Sequence, residues 1–233
     1  MKILITGAAG FVATTIIETL RASTDTASLE IIALDNFSRP GSEQNRARLR
    51  QLGTTVVHGD VRMPSDFESL PPVDWVIDAA ANPSVLAGVD GQTSSRQLIE
   101  HNLVGTINML EYCRRVEAGF ILLSTSRVYS IQPLAALDVN AADKAYHPDL
   151  SQSCPTGISA KGIAENFSTD PPLSLYGASK AAAETIALEY GQAFDFEVWI
   201  NRCGVLAGPG QFGKPDQGIF CLLYTSPSPR DIH

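Results

Sequence analysis

Tyr176 and Lys180, in Leu175-Tyr-Gly-Ala-Ser-Lys180, stand four residues apart, so a helix would bring a phenol and an ammonium to one face. A nearby ammonium favours phenolate and moves tyrosine, ordinarily protonated up to about pH 10, toward use as a base. The chain opens with Ile5-Thr-Gly-Ala-Ala-Gly-Phe-Val-Ala13. There Gly7 permits a tight turn, and Gly10 lets the backbone at Phe11 and Val12 approach a pyrophosphate at a helix N-terminus. Ala13 stands where a third small residue permits close helix–sheet packing. By itself, a Tyr and a Lys at this spacing describe an ordinary helix face. Paired with a phosphate-cradling loop, they point to a nicotinamide-dependent redox site.

Further cofactor contacts are expected where strands end. Asp35 and Asn36 follow the second apolar run, and an acid at this offset can accept from the adenosine ribose hydroxyls while repelling a 2′-phosphate. That favours NAD; Arg39, able to pair with a phosphate, keeps NADP open. Asp35-Asn36 is equally a common turn pair. Asp60 and Val61 follow the third run, where a carboxylate can accept from the adenine amino group. Ala79, Ala80 and Ala81 follow the fourth, where small side chains admit the cofactor backbone. Loop geometry or packing explains both sets as well.

Short apolar runs at Ile3–Thr6, Ile31–Leu34, Thr55–His58, Trp75–Ile77, Phe120–Ser124 and Val198–Asn201 are strand candidates, continuous rather than alternating. Helical patterns lie near 11–22, 42–52, 93–117 and 174–193, the third carrying Ile99, Leu103, Ile107 and Leu110 at helical spacing. This alternation predicts an α/β, Rossmann-like, doubly wound parallel sheet with helices on both faces. A stretch of about 132–172 interrupts the rhythm with Pro133, Pro148, Pro155, Pro171 and Pro172. Connections of this length are usually functional, and its place before Tyr176 suggests a flap over the active site. A disordered insertion is the alternative.

The chain of 233 residues, 44% hydrophobic and 18% charged, is long and apolar enough for one large core. A formal net charge of −8 without a basic run argues against a nucleic-acid partner. The four cysteines, Cys113, Cys154, Cys203 and Cys221, have neither CxxC spacing nor a histidine cluster, so reduced thiols and no metal site are expected. Lys2-Ile-Leu-Ile5 runs directly into the glycine turn and is too short to span a membrane, so a cytoplasmic location and no membrane partner are expected. Cys221-Leu-Leu-Tyr-Thr-Ser-Pro-Ser-Pro-Arg-Asp231 departs from the preceding pattern. It looks like an in-frame translation of a sequencing-library transposase adapter, with Ile232 and His233 from index bases; a natural Pro/Ser-rich tail is the alternative. The expected division is 1–220, a dinucleotide-binding domain with the start of a substrate lobe, and 221–233, a non-native tail.

Glycine loop, post-strand acid, Ser124-Thr-Ser-Arg-Val-Tyr129 and Tyr-x-x-x-Lys, in this order, resemble an extended short-chain dehydrogenase/reductase. More narrowly, the chain resembles the nucleotide-sugar epimerase/dehydratase family, and within it the 2-epimerases of CDP-linked sugars. The narrower similarity rests on Asp35-Asn-Phe-Ser-Arg-Pro-Gly-Ser-Glu43, Ser174-Leu-Tyr-Gly177 and Gln211-Phe-Gly-Lys-Pro-Asp-Gln-Gly218. The resemblance implies catalytic roles for Thr125, Tyr176 and Lys180, and cofactor contacts for Tyr176 and Lys180 as well. Thr125 would bond the sugar oxygen being oxidised, and Lys180 would lower the tyrosine pKa and hold the nicotinamide ribose. Asn102 matches a family position near the cofactor, and a polar residue on a buried helix is the competing explanation. The resemblance further implies a nucleotide-sugar substrate, NAD and a homodimer packed through helices near 93–117 and 174–193. It also implies a C-terminal substrate lobe that is largely missing.

Two departures narrow the expected reaction. Family dehydratases carry Asp-Glu after this Thr, whereas Ser126-Arg127 stands here, so dehydration is disfavoured. Many 4-epimerases carry Asn where Val205 stands. Epimerisation through a transient ketosugar is therefore expected. A reductase or dehydrogenase releasing its cofactor, or a catalytically silent dinucleotide-binding module, are the rivals.

Overall fold

The computed structural model describes residues 1–89, 91, 94–142, 145–151 and 154–212. In chain order the main elements begin with β1 (Lys2–Thr6), α1 (Phe11–Ala22), β2 (Glu30–Asp35), α2 (Glu43–Gln51), β3 (Thr55–His58) and β4 (Trp75–Asp78). There follow α3 (Ser95–Ile99), a π-helical turn (Glu100–Val104), α4 (Gly105–Val116) and β5 (Gly119–Thr125). Next come a 3₁₀ turn (Ser126–Val128), α5 (Ile131–Ala135), β6 (Val139–Ala142), β7 (Ala145–Pro148), β8 (Ile158–Ser159) and β9 (Gly162–Ile163). The last are α6 (Leu175–Phe194) and β10 (Val198–Cys203).

Six strands form one sheet in the order β10-β5-β4-β1-β2-β3, every pairing parallel. The chain leaves β1 toward β2 and β3, then returns to β4, so the direction of winding switches between β1 and β4. Ligands of such sheets bind outside the strand C-termini at that switch. Register brings the ends into line: Thr6 pairs with Asp78, Asp78 with Leu122, and Thr125 with Cys203.

Alternate residues of β1 enter two cores. Ile3 and Ile5 pack with Ala13 and Ile17 of α1 and Leu49 of α2. Leu4 joins Val76, Phe120 and Leu122 against Met109 and Leu110 of α4 and Ala183 and Ala187 of α6. This double cover explains why the inner strands read as unbroken apolar runs. β10 departs from that expectation: its exposure alternates, and Trp199 is 61% exposed on the side away from α6.

The stretch expected as a long flap begins with α5 and carries two antiparallel hairpins, β6–β7 and β8–β9. Its two ends are stapled together. The Ser130 amide donates to Ser168 O (2.9 Å), its hydroxyl to Asp170 O (2.7 Å), and Ile131 N to Pro172 O (3.4 Å). Phe167 is buried edge-on against Tyr129. The tail assigned to 221–233, and most of the Gln211–Gly218 motif, lie outside the described residues.

Candidate active site

The glycine loop turns where β1 ends, and Gly7 has φ +59° there. A Cβ on Gly7 would lie 2.9 Å from backbone atoms of Ala79 and Ala80, so two constraints exclude a side chain. Gly10 caps α1 without a side-chain hydrogen bond, and the first turn holds no acid. The amide dipoles over Phe11 and Val12 therefore face outward uncapped, which suits an anion.

Asp35 braces this loop. Its two carboxylate oxygens accept from Ala9 N (2.9 Å) and Phe37 N (2.7 Å), and burial raises its pKa despite those bonds. Asn45 of α2 donates to Ala9 O (2.9 Å), and the Thr14 hydroxyl donates to Ala8 O (2.9 Å). Neither Asn45 nor Thr14 was legible as a loop support, because each depends on a tertiary contact. Asn36 donates to Asp60 (3.0 Å), and Arg62 forks onto the same carboxylate at 2.9 and 2.6 Å. That guanidinium holds the Asp60 carboxyl well below the usual range. The Asp60 oxygens are thus already engaged within the fold, and Val61 is buried against Gly105.

At the end of β4, the amides of Ala79 and Ala80 both donate to Thr6 Oγ1 at 3.1 Å, while Ala81 is exposed. Thr6 donates in turn to the buried Asp78 (2.6 Å), whose other oxygen accepts from Thr106 (2.9 Å). Asn102 is wholly buried in the π-helical turn. Its side chain accepts from Asn82 N (2.8 Å) and donates to Asn82 O and Ser179 Oγ, both 3.2 Å. It ties the β4 loop to α6, so the polar-on-a-buried-helix alternative describes its contacts.

Ser174 caps α6 by accepting from Gly177 N (3.0 Å), which starts the helix at Leu175, one residue before Tyr176. Tyr176 is 9% exposed and packs against Ala87 and Leu98. Thr125 stands close enough to the phenol to favour its ionised form, and it accepts from Arg127 N at 3.2 Å. A Cβ on Gly177 would stand 2.2 Å from Arg127 O, so glycine lets α6 meet the 3₁₀ turn after β5. Lys180 follows one turn further along the same helix.

The electrostatics of this group differ from the expectation. Burial pushes the Tyr176 phenol up, the nearby Thr125 side chain opposes this, and the cation acting on the phenol is Arg127. Lys180 is 1% exposed; burial lowers its pKa, while Asp78 and Glu184 favour its ammonium form. Glu184, unremarked in the sequence, accepts from Ser124 Oγ (2.5 Å) and from Arg202 Nη2 (2.7 Å). Arg202 also donates to Glu165 O (2.9 Å), joining α6, β5, β10 and the 131–172 excursion. Glu184 lies one turn beyond Lys180, and continuing the i, i+4 series would have found it. Among the described residues no cluster of His, Cys, Asp or Glu could hold a metal, and no helix is long and apolar enough to cross a membrane.

The chain is similar to known proteins. A family model, the NAD dependent epimerase/dehydratase family, matches residues 3–224. The chain is 30% identical over 224 residues to the CDP-paratose 2-epimerase of Salmonella typhi, covering 94% of this chain and 61% of that protein. It is 28% identical over 228 residues to UDP-glucuronate 4-epimerase 3 of Arabidopsis thaliana, covering 94% of this chain and 45% of that one. The structure superposes on the Thermus thermophilus UDP-glucose 4-epimerase in complex with NAD at TM-score 0.68 and 28% identity. That match covers 96% of this chain and 60% of the other. The chain thus spans about half to three-fifths of the length of these relatives.

Proposed function

The chain belongs to the NAD dependent epimerase/dehydratase family, and from that premise we propose that it is the redox half of an NAD-dependent nucleotide-sugar epimerase. The observation that carries the proposal is the convergence of Tyr176 and Thr125 beside the strand switch point, with Lys180 buried one turn further along α6. The uncapped start of α1 and the glycine-only approach at Gly7 fit a dinucleotide, because backbone and pyrophosphate can meet there without obstruction. In this reading Gly7, Gly10, Phe11 and Val12 hold the pyrophosphate, and Ala79, Ala80 and Ala81 border its path. Asp35 and Asn36 face the adenosine ribose, Asp60 and Val61 the adenine, and Lys180 the nicotinamide ribose. Asp35 favours NAD over NADP, since a buried carboxylate repels a 2′-phosphate.

When bound, NAD supplies a reversible hydride acceptor. Thr125 positions the sugar hydroxyl, and Tyr176 as phenolate takes its proton and later returns it. Inversion requires the ketosugar to present its other face before reduction, in a pocket that excludes water. The 131–172 excursion, fastened at its base by Ser130 and to β10 by Glu165, is suited to cover that pocket. A homodimer through the helices near 93–117 and 174–193, which expose Val104 in the first region and Leu188 and Phe194 on α6, and a cytoplasmic location complete the proposal. Purification followed by acid release of bound nucleotide tests it. Stoichiometric NAD and no net NADH on adding a nucleotide sugar are expected; NADH accumulating with substrate would favour a dehydrogenase.

A further inference from the structure

Arg127 is held by its backbone and free at its tip. Its amide donates to Thr125 Oγ1 (3.2 Å), and its carbonyl abuts Gly177, the residue after Tyr176. Its side chain is exposed and makes no hydrogen bond or ion pair with any described residue. Arg62 and Arg202, by contrast, are each forked onto a carboxylate, and Arg21 is spread over backbone carbonyls. Its backbone is thus anchored between the two groups proposed to handle the sugar hydroxyl, and its guanidinium, near enough to act on the Tyr176 phenol, is left with its donors open. Once a sugar seats there and displaces water, an unpaired guanidinium is costly unless the ligand brings an anion. Planar donors of this kind match a carboxylate or a phosphate two bonds at a time.

Resting on the redox reading of Thr125 and Tyr176, we infer that Arg127 recognises an oxyanion carried next to the sugar carbon being oxidised. A pyranose offers two such arrangements. Oxidation at C2 places the glycosyl phosphate on the adjacent C1. Oxidation at C4 places a carboxylate on the adjacent C5 if the sugar is a uronic acid. A neutral sugar oxidised at C4 holds its phosphate across the ring and leaves Arg127 unpaired. The substrate class is therefore a nucleotide sugar with an anion adjacent to its reacting carbinol.

The NAD-loaded protein, its Arg127→Gln variant and its Arg127→Lys variant can be titrated with α-D-glucose 1-phosphate, D-glucuronate and neutral D-glucose. Binding and the Tyr176 titration would be followed together by NMR of ¹³Cζ-labelled tyrosine. Groups acting on the phenol are Thr125 and Arg127 around the end of β5 and Cys203 on β10; Lys180, one turn along its own helix, faces Asp78, Glu184 and Cys203 instead. One sugar anion should bind about tenfold or more tighter to the parent than to Arg127→Gln. It should also raise the Tyr176 pKa by neutralising the guanidinium, with Arg127→Lys intermediate and glucose indifferent. A response to the phosphate assigns C2, and one to the carboxylate assigns C4. Equal binding by parent and Arg127→Gln overturns the inference while leaving the redox reading intact. A Tyr176 titration unmoved by NAD removes that reading and the inference with it.

Discussion

Tyr176 carries the proposed chemistry, yet its surroundings in the folded chain hold the phenol protonated, since burial outweighs the help of Thr125 and Arg127. A base must be deprotonated to act, so anything that raises this pKa moves the rising limb of a pH–rate profile to higher pH. Arg127→Gln should therefore shift that limb upward, and bound NAD+, bringing positive charge, should shift the titration down. Tyr176→Phe should cost roughly 10²–10⁴-fold in turnover while leaving cofactor content unchanged. Gly177→Ala is a sharper test of the geometry, because its Cβ would meet a main-chain carbonyl 2.2 Å away. A destabilisation of about 1–3 kcal/mol is expected in denaturant unfolding. Spacing along one helix made legible that Tyr176 and Lys180 share an element, and both lie buried on α6. Arg127 was legible as a departure from the dehydratase pattern, but not as the cation on the phenol. That fact depends on how β5 and α6 meet.

At the scale of elements, the glycine-rich turn, the inner strands and the helices near 11–22 and 174–193 were legible from the alternation of apolar runs with helical patterns. Ser174 marks the start of α6 by the hydrogen bond its type predicts. The ties between elements were illegible, because they join residues far apart in sequence: Thr6 with Asp78, Asn102 with Ser179, Glu184 with Ser124 and Arg202. The last of these sets where α6 lies on the sheet, and thus where Tyr176 meets Thr125. Breaking a buried pair by removing one partner costs about 3–5 kcal/mol. Glu184→Ala should accordingly lower Tm by on the order of 6–20 °C, whereas Ser124→Ala, which removes one neutral donor, should cost only about 1–3 kcal/mol. Equal Tm losses in a thermal scan would show that the pair with Arg202 is unimportant.

For the whole molecule, ligand linkage offers a test of cofactor choice independent of catalysis. NAD at about 100 times its dissociation constant should stabilise the fold by ~2.7 kcal/mol. For a chain of this size that is on the order of 5–10 °C in Tm, and NADP should do less because of Asp35. The doubly wound architecture was readable from strand–helix alternation, but the open side of β10 was not: Trp199 lies in an apolar run and is nonetheless 61% exposed. Continuous apolarity foretells cover without naming the element that provides it. The central claim, that hydride leaves and returns to the same sugar carbon, can be followed with isotope. Nucleotide sugars of the kinds used by the relatives, CDP-paratose and UDP-glucuronate, would be deuterated at the candidate carbinol carbon and incubated with the NAD-loaded protein in ordinary water. Inverted product retaining deuterium at that carbon is the predicted result; inverted product that has exchanged it for solvent hydrogen would contradict the account.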